Sequence, residues 1–158
     1  MEESYNSYKI VKINKTVDIL LTGRKTPQKY IIYLSLSSKY SKNHETINEY
    51  INSEKPFLPT SQIISKDKIE FAAINLNEIF YVKDGLKVSN PVFYRQAIIT
   101  LTNGIKLKTG VVKTYSKGYE RVIDYLNVKD QFIEFVHENQ YIHVNKNKIL
   151  KVLEIQSE

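Results

Sequence analysis

The chain has 158 residues, of which 42% are hydrophobic and 25% are charged, and it contains no cysteine. This composition excludes a disordered or collagen-like chain, and the lack of cysteine excludes disulfides, thiolate nucleophiles and cysteine-ligated zinc sites. No segment approaches the roughly 20 apolar residues of a membrane span, and the first residues lack the basic and apolar regions of a secretory signal. The sequence therefore predicts a soluble, cytoplasmic protein with no membrane partner.

Residues 1–84 predict a mainly β unit with one helix. The spacing of the apolar residues indicates the order β-β-α-β-β: a hairpin, a helix with apolar residues at i, i+3 and i+4, and two further strands. In chain order these elements are expected at residues 17–21, 30–36, 45–52, 57–64 and 69–82.

Residues 85–92 predict a linker, because they contain Gly85 and an Asn90–Pro91 step. Residues 93–158 then repeat the same plan, and the Asn103–Gly104 pair between the first two apolar runs is a strong hairpin signal. The expected elements of this part lie at residues 97–101, 107–115, 120–127, 132–136 and 141–155.

The two parts match as an internal duplication. Three blocks recur in the same order: residues 45–58 with 120–133, ILLTG at 19–23 with ITLTNG at 99–104, and INLNEIFYV at 74–82 with VNKNKILKV at 144–152. One such block can arise by chance, but three in order indicate a tandem repeat. We call residues 1–84 the first copy and residues 93–158 the second copy. Because four or five short strands cannot bury both faces of a flat sheet, each copy is expected to close into a small bent barrel.

The distribution of charged residues along the chain repeats in both copies. The net charge of +6 does not reveal this pattern. Residues 9–42 contain eight basic residues and one acid, and residues 95–119 contain five basic residues and no acid. The following helical segments, 43–84 and 120–140, each sum to −3. Two interpretations stay open: lysines that solvate strand faces and protect sheet edges, or a surface that faces a polyanion.

Two segments of the second copy resemble a known family. ITLTNGIKLKTGVV at 99–112 is similar to the first signature of the Sm-like proteins, in particular the bacterial Hfq branch, and VNKNKILKV at 144–152 is similar to the second signature. The matching positions are Ile99, Leu101, Gly104, Ile105, Leu107, Gly110, Val111, Val144, Lys146, Ile149 and Val152. The resemblance implies two tandem Sm-like or SH3-like barrels.

The resemblance also implies an Hfq-like RNA chaperone and post-transcriptional riboregulator without catalysis or cofactor. Such a protein binds single-stranded U-rich or A-rich RNA, with phosphates neutralised by lysines. The family's final-strand lysine corresponds to Lys146. The candidate RNA-binding residues are Lys146, Asn145, Asn147, Lys148, Lys106, Lys108 and Asn103, and a secondary basic patch comprises Arg24, Lys25 and Lys29.

Single-copy members of this family form hexameric rings by pairing edge strands. The duplicated chain is therefore expected either to form a homo-oligomer through its barrel edges, such as a ring of three chains, or to pair its two barrels internally as a monomer.

Two other classes of function remain open. The first is a non-catalytic protein-interaction scaffold, because Asn145, Asn147 and Leu76 stand where the family has its RNA-contacting residues, and because barrel edges accept added strands. The second is an enzyme without a recognisable motif, since no P-loop, GxSxG or HExxH sequence occurs. His137 and His143 lack a clear third ligand, so no metal site is predicted.

Overall fold

The computed structural model describes residues 11–91, 93, 95–111 and 121–155. Within these ranges the first copy, continued to Lys87, contains β1 (Lys12–Leu21), β2 (Gln28–Ser35), α1 (Ile47–Ile51), β3 (Phe57–Ser65), β4 (Lys68–Asn75), a first 3₁₀ helix (Leu76–Glu78) and β5 (Ile79–Lys87). The second copy contains β6 (Arg95–Leu101), β7 (Lys106–Val111), α2 (Val122–Leu126), β8 (Phe132–His137), β9 (Gln140–Asn145), a second 3₁₀ helix (Lys146–Lys148) and β10 (Ile149–Ile155). No helix in the described ranges has the length and apolar character to cross a membrane.

All ten strands of the described residues join in one antiparallel sheet. Its order is β10-β6-β7-β8-β9-β5-β1-β2-β3-β4. The first copy contributes β5-β1-β2-β3-β4 and the second contributes β10-β6-β7-β8-β9, so the two copies have the same internal strand order. The copies meet where β5 pairs with β9, with Tyr81 opposite Val144 and Lys83 opposite Ile142. The predicted mainly β class is confirmed. The hydrogen-bonded strands, however, form one open sheet and not two sheets that each close into a barrel.

The predicted hairpins form, and each turn contains a glycine with positive φ. In the second copy β6 pairs with β7 around Gly104, whose φ is +89°, and in the first copy β1 pairs with β2 around Gly23, whose φ is +81°. Glycine adopts this conformation without the steric cost that a Cβ would bring. The Asn103–Gly104 signal in the sequence therefore predicted the turn correctly.

The predicted order β-β-α-β-β needs a correction, because each copy has five strands. The expected strands at 69–82 and 141–155 are each divided by a 3₁₀ helix. At these breaks the side chains of Asn75 and Asn145 each accept a hydrogen bond, at 3.0 Å, from the backbone nitrogen two residues ahead. This local bond competes with strand pairing and turns the chain. β5 also runs through the first three residues of the predicted linker.

The sheet packs around two hydrophobic cores, one for each copy. Ile32 is fully buried in the first core and Phe135 in the second. The copies exchange side chains across their junction, since Phe132 of the second copy packs in the first core, whereas Phe80 and Tyr81 of the first copy pack in the second core. Burial of one such large side chain contributes roughly 1.5–3 kcal/mol, so this exchange makes the two copies depend on each other for stability.

Candidate nucleic-acid interface

Four turns form a continuous surface, which we call the turn strip: residues 22–26, 76–78, 102–106 and 146–148. Within each copy the hairpin turn contacts the 3₁₀ helix through the same hydrogen bond. The Thr22 nitrogen donates to the Glu78 carbonyl at 2.9 Å, and the Thr102 nitrogen donates to the Lys148 carbonyl at 2.8 Å. The two signature segments of the second copy therefore lie side by side, and β6 also pairs with β10.

The turn strip continues across the junction between the copies. Asn145 donates from Nδ2 to the Leu76 carbonyl at 3.3 Å and to the Ile79 carbonyl at 2.9 Å. Nearby, Gln131 donates from Nε2 to Oδ1 of Asn77 at 3.2 Å. These contacts join the two 3₁₀ helices, so the predicted site of the second copy and the predicted basic patch of the first copy belong to one surface.

Most of the predicted basic residues lie exposed on or beside this strip. Arg24 and Lys25 are exposed in the first turn, and Lys106 and Lys108 are exposed on one face of β7. None of these four forms an ion pair among the described residues. Lys29 differs, because its ammonium lies 3.2 Å from Asp18 on the neighbouring strand. Cations without acidic partners are the groups that phosphates can neutralise on binding.

The two lysines of the second 3₁₀ helix are partly engaged by the protein. Lys146 is half-buried, and its Nζ donates to the carbonyl of Val128, just beyond α2. Lys148 is also half-buried, with Nζ 5.5 Å from the centroid of the Phe80 ring, so it makes a cation–π contact with the first copy. Both ammonium groups contact carbonyl or aromatic groups, and no carboxylate of the described residues pairs with them, so their positive charge is not neutralised there.

The three predicted asparagines have different environments. Asn145 is fully buried at the junction, where its amide holds the two copies together. Its side chain is therefore not part of the exposed strip, and we leave it out of the proposed binding surface. Asn147 and Asn103 are exposed, and Oδ1 of Asn103 accepts from the Ile105 nitrogen at 3.1 Å.

A cleft between the two copies was not predicted. It has a volume of about 860 Å³ and is lined on one side by α1 and on the other by β8 and β9. Lys15 and Asp84 form an ion pair at 2.9 Å in its wall, and the buried His143 lies 3.2 Å from the amide of Asn48. One feature of the sequence pointed to this cleft, namely the excess of acidic residues in segments 43–84 and 120–140. Among the described residues, no cluster of three or more histidine or carboxylate groups could hold a metal ion.

An ion pair between a half-buried lysine and an exposed glutamate also crosses the junction. Nζ of Lys83 in β5 lies 3.0 Å from Oε2 of Glu138, in the turn between β8 and β9. The hydrogen bond and the positive charge of Lys83 lower the pKa of Glu138 below its ordinary value of 4.5. The carboxylate is therefore charged over the whole neutral range.

Comparison of the chain with protein-family models, curated proteins and solved structures found no match.

Proposed function

We propose that the protein binds single-stranded RNA, U-rich or A-rich, along the turn strip and acts as a non-catalytic RNA chaperone in post-transcriptional regulation. Phosphates are neutralised by Lys106, Lys146 and Lys148 of the second copy and by Arg24 and Lys25 of the first. Exposed amides such as that of Asn147 contact base edges.

The observation that carries this proposal is the contact between the hairpin turn and the second 3₁₀ helix. The bond from the Thr102 nitrogen to the Lys148 carbonyl brings together lysines that are about 40 residues apart in sequence. Among the described residues, no carboxylate pairs with Lys106, Lys146 or Lys148. A group of uncompensated cations beside exposed amides suits a flexible polyanion better than a neutral ligand.

We further propose that each copy is an Sm-like barrel in partly open form. The repeated order of five strands and the separate core of each copy support this reading. In such a fold the turn strip lies along one rim of both barrels. It therefore gives RNA a longer binding surface than either copy has alone.

Fluorescence anisotropy with short labelled U-rich and A-rich oligonucleotides tests the proposal. We expect binding at low salt that weakens steeply as salt rises, with a log–log slope of about −0.7 for each phosphate neutralised. Lys106→Ala should weaken binding roughly three- to tenfold and reduce that slope by about one phosphate equivalent. Lys66→Ala is the matched control, because Lys66 is an exposed lysine in the β3–β4 turn, away from the strip. Lys146→Ala then tests the residue indicated by the resemblance.

The alternative is a protein-interaction scaffold without RNA binding, which the apolar outer edge of the sheet favours. Ile69 is 57% exposed and Phe71 is 75% exposed on β4, which has no partner strand on its outer side among the residues that the structure describes. No RNA binding at low salt would favour the scaffold. Equal losses for Lys66→Ala and Lys106→Ala would contradict the turn strip as the binding surface.

A further inference from the structure

His143 is a buried histidine at the junction between the two copies, in the wall of the cleft. It is 2% exposed, and its register partners are Glu134 on β8 and Val82 on β5. Its Nδ1 atom lies near two polar groups: the amide of Asn48 on α1 at 3.2 Å and Oε2 of Glu134 at 4.0 Å. The first group belongs to the first copy and the second group to the second copy. The same ring nitrogen can therefore bond to either copy.

A chain of hydrogen bonds fixes which amide atom of Asn48 faces His143. The Phe132 nitrogen can only donate, and it donates to Oδ1 of Asn52 at 2.8 Å. The other amide atom of Asn52, Nδ2, donates to Oδ1 of Asn48 at 3.1 Å. Nδ2 of Asn48 therefore faces Nδ1 of His143. Because an amide nitrogen is a donor only, Nδ1 accepts this bond, and the neutral ring carries its proton on Nε2.

Protonation of His143 removes this bond, because a charged imidazole has a proton on both ring nitrogens and cannot accept. Rotation of the Asn48 amide does not repair it, since that rotation would place the donor nitrogens of Asn48 and Asn52 against each other. The carboxylate of Glu134 provides an acceptor and a negative charge on the neighbouring strand. Charge-assisted hydrogen bonds are stronger than neutral ones, so the protonated ring is expected to leave Asn48 and bond to Glu134.

Most of these polar groups are absent from the equivalent positions of the repeat. Ile123, Ala73 and Pro59 stand at the positions that correspond to Asn48, His143 and Glu134, and only Asn52 recurs, as Asn127. The repeated fold therefore does not require a histidine, a carboxylate and an amide at these three positions. The three groups belong to the contact between α1 and the second copy.

The charged groups around the cleft do not repel a positive ring. Lys15 and Asp84 form an ion pair at 2.9 Å and offset each other. The other titratable side chains that line the cleft with His143 and Glu134 are Lys39, Tyr40, His44, Glu45, Glu49, Asp130 and Tyr141. Carboxylates outnumber lysines in this set, so the electrostatic field in the cleft accepts a cation.

We propose that His143 is a pH-dependent switch that holds α1 on the second copy when its ring is neutral and releases α1 when its ring is protonated. In the released state the bonds between Asn52 and Phe132 are the remaining hydrogen bonds from α1 and its end to the second copy among the described residues. Because α1 forms one side of the cleft, mild acid opens the cleft. Histidine changes its charge between about pH 5 and 8, so the switch works near physiological pH. This inference does not depend on RNA binding.

Nitrogen-15 NMR of the histidine rings is the first test, and it leaves the switch itself unchanged. The chain has three histidines, so His44→Gln and His137→Gln assign the ring signals. We expect the Nε2–H tautomer of His143 at about pH 8 and protons on both ring nitrogens at about pH 5. A neutral ring with its proton on Nδ1, or a ring that stays neutral over this range in the folded protein, would overturn the proposal.

Hydrogen exchange of α1 measures the release. The backbone nitrogens of Tyr50 and Asn52 donate within the helix. After correction for the intrinsic effect of pH, their exchange should become roughly three- to tenfold faster when the ring is protonated, as expected for the loss of one hydrogen bond. His143→Gln should abolish this pH dependence, because the glutamine oxygen accepts from Asn48 and does not titrate. His137→Gln, the matched control, should keep it.

Glu134→Gln tests the second partner of the switch. The substitution removes the negative charge beside the protonated ring, so the midpoint of the pH dependence should move to lower pH. An unchanged midpoint would contradict the exchange of partners between Asn48 and Glu134. Exchange of α1 that does not depend on pH in the wild type, or a pH dependence that His143→Gln retains, would overturn the switch.

Discussion

The side chain of Asn52 satisfies both backbone groups of Phe132, a residue 80 positions further along the chain. Nδ2 of Asn52 donates to the Phe132 carbonyl at 3.0 Å, and Oδ1 accepts from the Phe132 nitrogen at 2.8 Å. This pair of bonds imitates one rung of a β-ladder, with the end of a helix in place of a strand. The end of α1 therefore fixes the two copies against each other.

Asn52→Ala should destabilise the protein by about 1–3 kcal/mol, because it leaves the backbone nitrogen and carbonyl of Phe132 without partners. Asn127→Ala removes the equivalent but exposed side chain and should change the free energy of unfolding by less than about 0.5 kcal/mol. Urea denaturation of both variants and the wild type checks these values. Similar losses for the two variants would contradict a special role for Asn52.

Asn145→Ala should act on stability and not on the RNA affinity of the folded protein. The substitution removes the two bonds from Asn145 to the carbonyls of Leu76 and Ile79 at a buried junction, and we expect a loss of about 1–3 kcal/mol in the free energy of unfolding. Asn75→Ala, at the same position of the first copy, removes only the local turn bond among the described contacts and should cost about half as much. Thermal unfolding measures the change in stability, and RNA titration of the folded variants measures the change in RNA affinity. Together they separate the two effects.

Acid should weaken the junction through Glu138. Because Lys83 lowers the pKa of Glu138 in the folded protein, the pair contributes stability above the ordinary pKa of 4.5, and this contribution is lost as the pH falls through the lowered pKa. Glu138 is 71% exposed, so the effect is below about 1 kcal/mol. Wild type and Glu138→Gln should differ in urea denaturation at pH 7 and converge as the pH falls through the lowered pKa. Glu54→Gln, which changes an exposed acid outside the junction, should show no such convergence.

Gly110 in β7 makes room for an aromatic ring. A Cβ at this position would overlap the side chain of Phe93, so Gly110→Ala should cost about 1–3 kcal/mol as the ring is displaced. In the Phe93→Ala background the same substitution should cost nothing or stabilise the strand slightly. A double-mutant cycle of unfolding free energies measures this coupling. Additive effects would show that the ring is not the obstacle.

The local elements could be predicted from the sequence because they depend on neighbouring residues. The Asn103–Gly104 turn and the apolar stripe of Ile47 and Ile51 both have short-range signals. The division of the strand predicted at 69–82 was missed, because the apolar pattern continues through the 3₁₀ helix, where Leu76 is buried. The sequence signal of that break was an asparagine followed two residues later by a polar residue. This spacing is also common within strands.

The arrangement of the copies could not be read from the sequence. It depends on which strand edges meet, and the β5–β9 pairing joins segments about 60 residues apart. The exposure of Lys106 and Lys108 follows from residue type, whereas the partial burial of Lys146 and Lys148 depends on their contacts with Val128 and Phe80. The burial of Asn145 was not, because asparagine is usually a surface residue and only the junction covers it.

Photo-cross-linking with a short oligouridine that carries 4-thiouridine is the most direct measurement of the proposed function. The protein and RNA are irradiated at low salt, and the cross-linked peptides are identified by mass spectrometry. We expect cross-links in the peptides that contain Asn103 and Lys106 and in the peptides that contain residues 146–148. Cross-links confined to the cleft around Asp84 and Glu134, or no cross-links at low salt, would contradict RNA binding along the turn strip.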